Sequence, residues 1–190
     1  MSTETTPPQD TPPRDTTIPQ EKLVSFEMDG IAFAAPESST IYDVARLGHL
    51  YAVSEEDRKK LKDDPIYIPV LCHKEDSRDE FKSVGVCRVC CVMEGSPRLP
   101  YQVPKRYMAA CCRKVEPDMK ILTRSDDVDE SRRTLVELLL AEHPVPCKRH
   151  EQFHDCELEL LGEKYGLLKT TEDTRKQAGD DGKYKTSWVK

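Results

Sequence analysis

The alternation of apolar and polar residues near the start of the chain predicts a β-hairpin. Residues 23–28 alternate with the two-residue period of a strand, and residues 31–34 form a second, largely apolar run. Asp29 and Gly30 stand between the two runs, and an Asp-Gly pair there favours the tight turn that joins antiparallel strands. We therefore expect ordered structure to begin at Lys22 with two paired strands.

A helix is predicted directly after the hairpin. Ile41, Val44 and Leu47 recur at the spacing of one helical face. The Ser and Thr residues at 38–40 are candidate N-caps, and Gly48 is the expected end of the helix. A hairpin followed by a helix is how a β-grasp fold of the ferredoxin type opens.

A second, highly charged helix is predicted between residues 49 and 65. Ser54 begins a Ser-Glu-Glu-Asp run that approximates a capping box, and Pro65 ends the segment. The many charges of this helix indicate a face in contact with water. The short apolar run 66–71 then leads directly to Cys72.

From Thr123 onwards the pattern becomes helical. Ser125 or Asp126 can cap the helix, which carries acidic residues in its first turn and ends at Pro144 and Pro146. Its wide apolar face comprises Val128, Leu135, Val136, Leu138, Leu139 and Leu140.

Composition excludes several classes of function. Of the 190 residues, 34% are charged and 37% are apolar, so we expect a modest core and some disordered length. The net charge of -6 argues against sequence-independent binding of nucleic acid. No apolar run is long enough to span a membrane. The Thr/Pro-rich residues 1–20 lack the apolar centre of a signal peptide, which predicts a cytoplasmic protein.

Eight cysteines carry the main chemistry of the chain. Cys87 and Cys90 form a Cys-x-x-Cys pair, and Cys72 and Cys111 flank it at greater distance. Four thiolates in this arrangement can hold one small iron–sulfur cluster or one zinc ion. Disulfides are the alternative in a secreted chain, but the Cys-x-x-Cys spacing and the expected cytoplasmic location favour ligation.

The sequence around these cysteines resembles one kind of [2Fe–2S] ferredoxin domain. That domain stands at the N-terminus of the largest iron–sulfur subunit of respiratory complex I, of the diaphorase small subunit of NAD-coupled nickel–iron hydrogenases, and of many iron-only hydrogenases. The resemblance is carried by residues 68–72 (IPVLC), 87–90 (CRVC), 94–97 (Glu-Gly-x-Pro) and 110–119, where Cys111, Val115 and Met119 recur every four residues. It implies an α+β fold with a β-grasp domain whose cluster ligands are Cys72, Cys87, Cys90 and Cys111.

The neighbours Cys111 and Cys112 leave a choice for the last ligand. In the family the ligand lies four residues before the valine that matches Val115, which selects Cys111, with Cys112 as the alternative. Cys112 and Cys91 are then expected to be small buried hydrophobic residues. Zinc is the alternative occupant of the four-cysteine site.

A second ligand set is predicted downstream. Residues 135–144 resemble the family's helix that leads to a [4Fe–4S] cluster held by one histidine and three cysteines. At the same spacing this chain has His143, Cys147, His150 and Cys156, so His150 stands where the family has a cysteine. Three interpretations are open: a [4Fe–4S] cluster with two imidazole ligands, a zinc ion on the same four residues, or an empty, degenerate site.

The predicted organisation has four parts: a disordered tail (1–21), a [2Fe–2S] β-grasp domain (22–122), a small helical His/Cys cluster-binding segment (123–166) and a polar tail (167–190). In the last part Trp188 is a candidate docking residue, and a solvated tail with no such role is the alternative.

The family resemblance implies an electron-transfer subunit within a hetero-oligomer. It would pass single electrons between a flavoprotein that handles NAD(P)H and another redox subunit, of the hydrogenase or formate dehydrogenase type. The chain has no Gly-x-Gly-x-x-Gly motif and no substrate-site constellation, so we expect no substrate site of its own. The alternative function is a non-redox adaptor in a larger complex, with zinc or a degenerate second site.

Overall fold

The computed structural model describes residues 21–73, 83–95, 106–144 and 147–168. Most of the two predicted tails, including Trp188, lies outside the described residues; only Glu21, Leu167 and Leu168 of the tails are described. Pro97 and Pro146 also lie outside the described residues. The strands are β1 (Leu23–Met28), β2 (Ile31–Pro36), β3 (Cys91–Glu94), β4 (Arg106–Ala109) and β5 (Lys120–Leu122). The helices are α1 (Ile41–Arg46), α2 (Gly48–Tyr51), α3 (Glu55–Asp63), α4 (Asp126–Ala141), α5 (Lys148–Phe153) and α6 (Glu157–Lys164). Within the described ranges, no helix is long and apolar enough to cross a membrane.

The five strands form one mixed sheet in the order β2-β1-β5-β3-β4. β1 pairs antiparallel with β2 and parallel with β5, whereas β3 pairs antiparallel with both β4 and β5. β5 therefore joins a β1–β2 pair to a β3–β4 pair. This mixed sheet, together with the helices, confirms the predicted α+β class.

The predicted hairpin is confirmed. Phe26 lies opposite Phe33 in the antiparallel register, and their rings stack. Asp29 and Gly30 have φ values of 51° and 82°, the left-handed pair that the tightest hairpin turn requires. The Asp29 carboxylate accepts hydrogen bonds from the backbone N–H of Thr123, at 2.7 Å, and from its hydroxyl. The turn is thereby tied to the segment between β5 and α4.

The main hydrophobic core packs the sheet against α1. β1 buries every second residue, as its alternation predicts, and these side chains meet Ile41 and Val44 of α1. Cys90 and Cys111 belong to the same cluster of buried residues. Two residues of the first candidate site are therefore anchored in the close-packed main core.

The first helix ends within one residue of its predicted last residue, Leu47, but the role predicted for Gly48 is wrong. Thr40 caps α1 in a reciprocal capping box with Asp43, but α1 ends at Arg46 and Gly48 begins α2. A Cβ on Gly48 would lie 3.1 Å from Cδ1 of Leu61 in α3. Glycine at this position thus permits close packing between two helices rather than ending one.

Two of the predicted caps are confirmed. The Ser54 side chain accepts hydrogen bonds from the first turn of α3. Of the two candidates for α4, Ser125 is the cap, and its hydroxyl accepts a hydrogen bond from the Val128 N–H at 3.2 Å. Both helices carry acidic residues in the first turn, where negative charge interacts favourably with the positive end of the helix dipole.

Arg132 of α4 is a buried cation, with only 2% of its surface exposed. Its Nε and Nη2 donate hydrogen bonds of 3.1 and 2.8 Å to the backbone carbonyl oxygen of Cys91 in β3. The carboxylate of Asp129 lies 3.8 Å from Nη1. α4 is thereby fixed to the strand that directly follows Cys90.

A second hydrophobic cluster joins α4 and α6 to Val89, which lies between Cys87 and Cys90 of the first site. Its buried members are Val89, Val136, Leu140, Leu161, Leu167 and Leu168. Gly166 has a φ of 68°, and the backbone N–H groups of Leu167 and Leu168 donate to the Gly162 carbonyl, so the chain folds back onto α6. The packed segment therefore extends two residues past its predicted boundary at 166.

Candidate metal centres

The β3–β4 strand pair brings two of the predicted ligands together. Cys90 precedes β3, Cys111 lies two residues after β4, and the Ala110 N–H donates to the Cys90 carbonyl at 3.2 Å. The Sγ atoms of Cys90 and Cys111 are 3.3 Å apart, and both side chains are buried. Thiolates that share one tetrahedral metal ion stand about 3.8 Å apart, so this pair fits two ligands of one ion.

Cys72 and Cys87 form a second thiol pair. Burial alone would raise the pKa of the Cys72 thiol, but hydrogen bonds from the backbone amides of residues 85–87 and from the Cys87 thiol outweigh it and lower that pKa. The loop that presents these amides turns through Gly85, with a φ of 65°, and Arg88, with a φ of 59°. Amides directed at sulfur stabilise the thiolate and any negative charge added to a bound metal centre.

Burial disfavours the thiolate forms of Cys90 and Cys111 when no metal is bound. Burial raises the pKa of Cys90, and it raises the pKa of Cys111 to about 11. Without a cation both sulfurs therefore keep their protons at neutral pH, and metal binding must displace these protons. A positively charged metal centre held by all four sulfurs fits this donor set.

The remaining two cysteines of this region differ from each other. Cys91 is buried, as predicted, and packs beside Arg132. The prediction that Cys112 is buried is wrong, because its side chain is exposed and its thiol lies 3.6 Å from the Ser83 carbonyl. Cys112 Sγ is also 3.7 Å from Cys111 Sγ, and the assignment of Cys111 as the ligand stays a prediction.

Gly85→Ala is expected to destabilise the loop that presents the amides. An alanine at a φ of 65° costs about 1–2 kcal/mol. Its Cβ would also lie 2.8 Å from Cys112 Sγ, so a neighbouring group must move. We expect the thermal midpoint of the metal-loaded protein, measured by circular dichroism, to fall by roughly 5 °C or more.

Gly166→Ala is the matched control for this substitution. Gly166 has nearly the same φ, 68°, but a Cβ there meets nothing within 4 Å, so only the backbone strain remains. Adding Cys112→Ala to Gly85→Ala should remove the extra loss of stability, so that the double variant loses about as much as Gly166→Ala. Equal losses for Gly85→Ala and Gly166→Ala would show that the contact with Cys112 costs nothing.

The second predicted site brings three of its four residues together. The donor atoms of His143, Cys147 and Cys156 all lie within 4.8 Å of one another. His143 follows α4, whereas Cys147 and Cys156 are the N-cap residues of α5 and α6. The Nε2 of His143 lies 3.6 Å from Cys156 Sγ. Three helix ends thus converge on one small group of donors.

The fourth predicted residue, His150, is not part of this group. It is 92% buried within α5, its Nε2 lies 3.9 Å from a carboxylate oxygen of Glu163, and its Nδ1 has no hydrogen-bond partner among the described residues. His154, at the end of α5, is exposed. The ligand set with His150 therefore stays a prediction.

Sequence reasoning missed Glu159. This residue is in the first turn of α6, its side chain is only 7% exposed, and its Oε1 lies 3.3 Å from Nε2 of His143. An acidic residue in a first helical turn is ordinary capping chemistry, so the sequence held no signal that would single it out.

The spacing of these donors does not fit a [4Fe–4S] cluster. In such a cluster each protein ligand binds a different iron, so the ligand atoms stand further apart than atoms that share one ion. His143, Cys147 and Cys156 instead lie within 4.8 Å of one another, as the ligands of a single ion do.

The two candidate sites border one cleft of about 460 Å³. Cys72 and Cys87 of the first site and Cys156 of the second line this cleft, together with Leu139 and Leu158. Cys87 and both leucines also pack against the second hydrophobic cluster. The two sites are therefore neighbours that share a wall of apolar side chains.

Comparison with protein families shows which family the first site belongs to. A model described as a 2Fe-2S iron-sulfur cluster binding domain matches residues 21–126. The match covers more than half of the chain and includes all four cysteines predicted for the first site. The His/Cys group of the second site lies beyond it.

Curated relatives are subunits of hydrogenases and of complex I. The chain is 30% identical over 154 residues to the NADP-reducing hydrogenase subunit HndD of Solidesulfovibrio fructosivorans, covering 80% of this chain and 22% of that protein. It is 25% identical over 145 residues to the gamma subunit of the NAD-reducing hydrogenase HoxS of Cupriavidus necator, and the match covers 76% of this chain and 50% of that subunit. It is 29% identical over 102 residues to the mitochondrial NADH-ubiquinone oxidoreductase 78 kDa subunit of Candida albicans, and the match covers 53% of this chain and 12% of that subunit. The chain thus spans at most half the length of these relatives.

A solved structure is similar as well. A chain in the crystal structure of NAD+-reducing [NiFe]-hydrogenase in the H2-reduced state matches with a TM-score of 0.55 and 25% sequence identity. The match covers 76% of this chain and 50% of that chain.

Proposed function

The chain belongs to the family of 2Fe-2S iron–sulfur cluster binding domains, and we propose on that basis that it relays single electrons through one [2Fe–2S] cluster. The ligands are Cys72, Cys87, Cys90 and Cys111. Cys90 and Cys111 hold one iron, and Cys72 and Cys87 hold the other. The observation that carries this assignment is the 3.3 Å separation of the Cys90 and Cys111 sulfurs inside a group of four thiols.

The chain's own residues hold and tune this centre. A bound [2Fe–2S] cluster supplies a site that gains and loses one electron. The backbone amides of residues 85–87 donate toward Cys72 and so favour the more negative, reduced state. Val84 and Val86 flank Gly85 with 68% and 72% of their surfaces exposed, which offers an apolar rim to a redox partner beside the cluster.

We propose a division of the chain into two units that these contacts support. We assign residues 22–122 to a β-grasp domain, supported by the hairpin, the α1 crossover and the parallel pairing of β1 with β5. The helical segment from residue 123 is a separate unit that packs on the cluster loop through Val89 and Leu71. It includes at least Leu167 and Leu168, which pack in the second hydrophobic cluster.

The proposed partners come from the relatives. HndD is a subunit of an NADP-reducing hydrogenase, and the HoxS gamma subunit belongs to an NAD-reducing one. We propose that this chain likewise works in a hetero-oligomer, between a flavoprotein that handles NAD(P)H and a second redox subunit of the hydrogenase type. It has no substrate site of its own in this proposal.

Spectroscopy of the anaerobically purified full chain tests the relay. We expect visible absorption typical of a [2Fe–2S] cluster, about two irons per chain, and an electron paramagnetic resonance signal that appears on one-electron reduction. A colourless protein with zinc at the four cysteines would reject the relay and support the adaptor function instead.

A further inference from the structure

We propose that the second site binds one Zn²⁺ ion instead of an iron–sulfur cluster. Its ligands are Nε2 of His143, the thiolates of Cys147 and Cys156, and the carboxylate of Glu159. This assignment is independent of the electron relay and gives His150 no part in metal binding.

The distances match those of a single tetrahedral ion. Zinc binds sulfur at about 2.3 Å and nitrogen or oxygen at about 2.0–2.2 Å, so neighbouring nitrogen and sulfur ligands stand roughly 3.6 Å apart, and nitrogen and oxygen ligands roughly 3.4 Å apart. His143 Nε2 lies 3.6 Å from Cys156 Sγ and 3.3 Å from Glu159 Oε1. The distances from His143 Nε2 to the Cys156 sulfur and to the Glu159 oxygen therefore both match those between ligands of one zinc ion.

Glu159 supplies the fourth donor. Its carboxylate is not within 4.8 Å of all three other donors, so a change in its side-chain torsions is the adjustment that ligation requires. The backbone is already in place, because Glu159 lies one turn after Cys156 on the same helix. His150 instead directs Nε2 toward Glu163.

The charges around the site also call for a cation. Two buried cysteines and the 93% buried Glu159 surround one histidine, and no lysine or arginine of the described residues lies within 4.0 Å of the Glu159 carboxylate. Burying a carboxylate is costly unless a positive charge or hydrogen-bond donors compensate for it. A divalent ion supplies that charge and ties the ends of α4, α5 and α6 together.

Metal analysis of the full chain tests the proposal. We expect about one zinc and about two irons per chain, the irons belonging to the [2Fe–2S] cluster. About six irons and no zinc would mean that a [4Fe–4S] cluster fills the second site, and two irons with no zinc would mean that the site is empty. Either result overturns the zinc assignment, whereas failure of the relay would appear separately as loss of the two irons.

Variants identify the fourth ligand. Glu159→Gln keeps the size of the side chain and is expected to weaken zinc binding at least tenfold in competition with a chromophoric chelator. His150→Ala and Glu163→Gln are the controls and should leave zinc binding unchanged. If His150→Ala releases zinc while Glu159→Gln retains it, His150 is the ligand and the assignment of Glu159 is wrong.

Cobalt substitution provides a readout that does not depend on stability. Co²⁺ in a site with two thiolates should give intense charge-transfer bands and the visible bands of tetrahedral coordination. Glu159→Gln should shift the visible bands, whereas Glu163→Gln should not. Unchanged cobalt bands in Glu159→Gln, with the [2Fe–2S] spectrum intact as proof of folding, would overturn the role of Glu159.

Discussion

Replacing any one of Cys72, Cys87, Cys90 and Cys111 by serine is expected to lower the iron content from about two per chain to near zero. Each serine removes a soft thiolate that a neutral hydroxyl does not replace at neutral pH. Cys90→Ser and Cys111→Ser should have the most complete effect, because their sulfurs are 3.3 Å apart and lie in the main core. Iron analysis and visible absorption of anaerobically prepared protein measure the loss.

Cys112→Ser is the matched control for this series. Its thiol lies 3.7 Å from that of Cys111, but its side chain is exposed, so a serine there should leave both the cluster and the fold intact. Cys91→Ala tests the second non-ligand thiol in the same way. If Cys112→Ser loses the iron while Cys111→Ser keeps it, the assigned register is wrong by one residue.

Arg132→Ala is expected to destabilise the protein strongly, although Arg132 binds no metal. The substitution leaves the Cys91 carbonyl oxygen buried without its two donors and removes the packing of a long side chain, which together cost about 2–4 kcal/mol. The thermal midpoint should fall by roughly 5–15 °C. Arg132→Lys should recover only part of this loss, because one ammonium group does not reproduce the two-pronged contact.

Arg133→Ala is the control for this prediction. Arg133 is the next residue of the same helix, is half-buried and has the same intrinsic helix propensity as Arg132. Its replacement should change the midpoint by a few degrees at most. Comparable losses from the two variants would mean that Arg132 acts through the helix in general and not through the Cys91 carbonyl.

Local signals explain the parts of the fold that the sequence predicted well. The Asp29-Gly30 turn and the Ser54 cap depend on hydrogen bonds and φ angles within a few residues, and the chain near each position determines these. The Cys-x-x-Cys pair is equally local. The sequence therefore identified the hairpin, the starts of α1, α3 and α4, and the cysteines with the spacing of a cluster site.

Tertiary packing explains the misses. Gly48 has the residue type of a helix end, but the side chain of Leu61, thirteen positions later, makes it a point of close contact. Cys112 was expected to be buried because free cysteines usually are, yet it lies on the outer side of the turn after β4. Neither environment can be read from the neighbours in the chain.

The second site shows the same division between local and distant information. The family resemblance of residues 135–144 predicted a metal site at His143, Cys147 and Cys156, and these donors do lie together. Glu159 comes close to His143 only because α6 packs against α4 through the second hydrophobic cluster. Its role therefore became visible only once the arrangement of these two helices was known.

The central position of β5 has a consequence for the newly synthesised chain. Because β5 separates β1 from β3, no strand hydrogen bonds link the two outer strand pairs until residues 120–122 have left the ribosome. Translation at about 5–20 residues per second needs roughly 0.6–2 s to proceed from Cys111 to Leu122. During that interval Cys90 and Cys111 are not yet enclosed by a completed sheet, so iron delivery during translation can reach thiols that the finished fold buries.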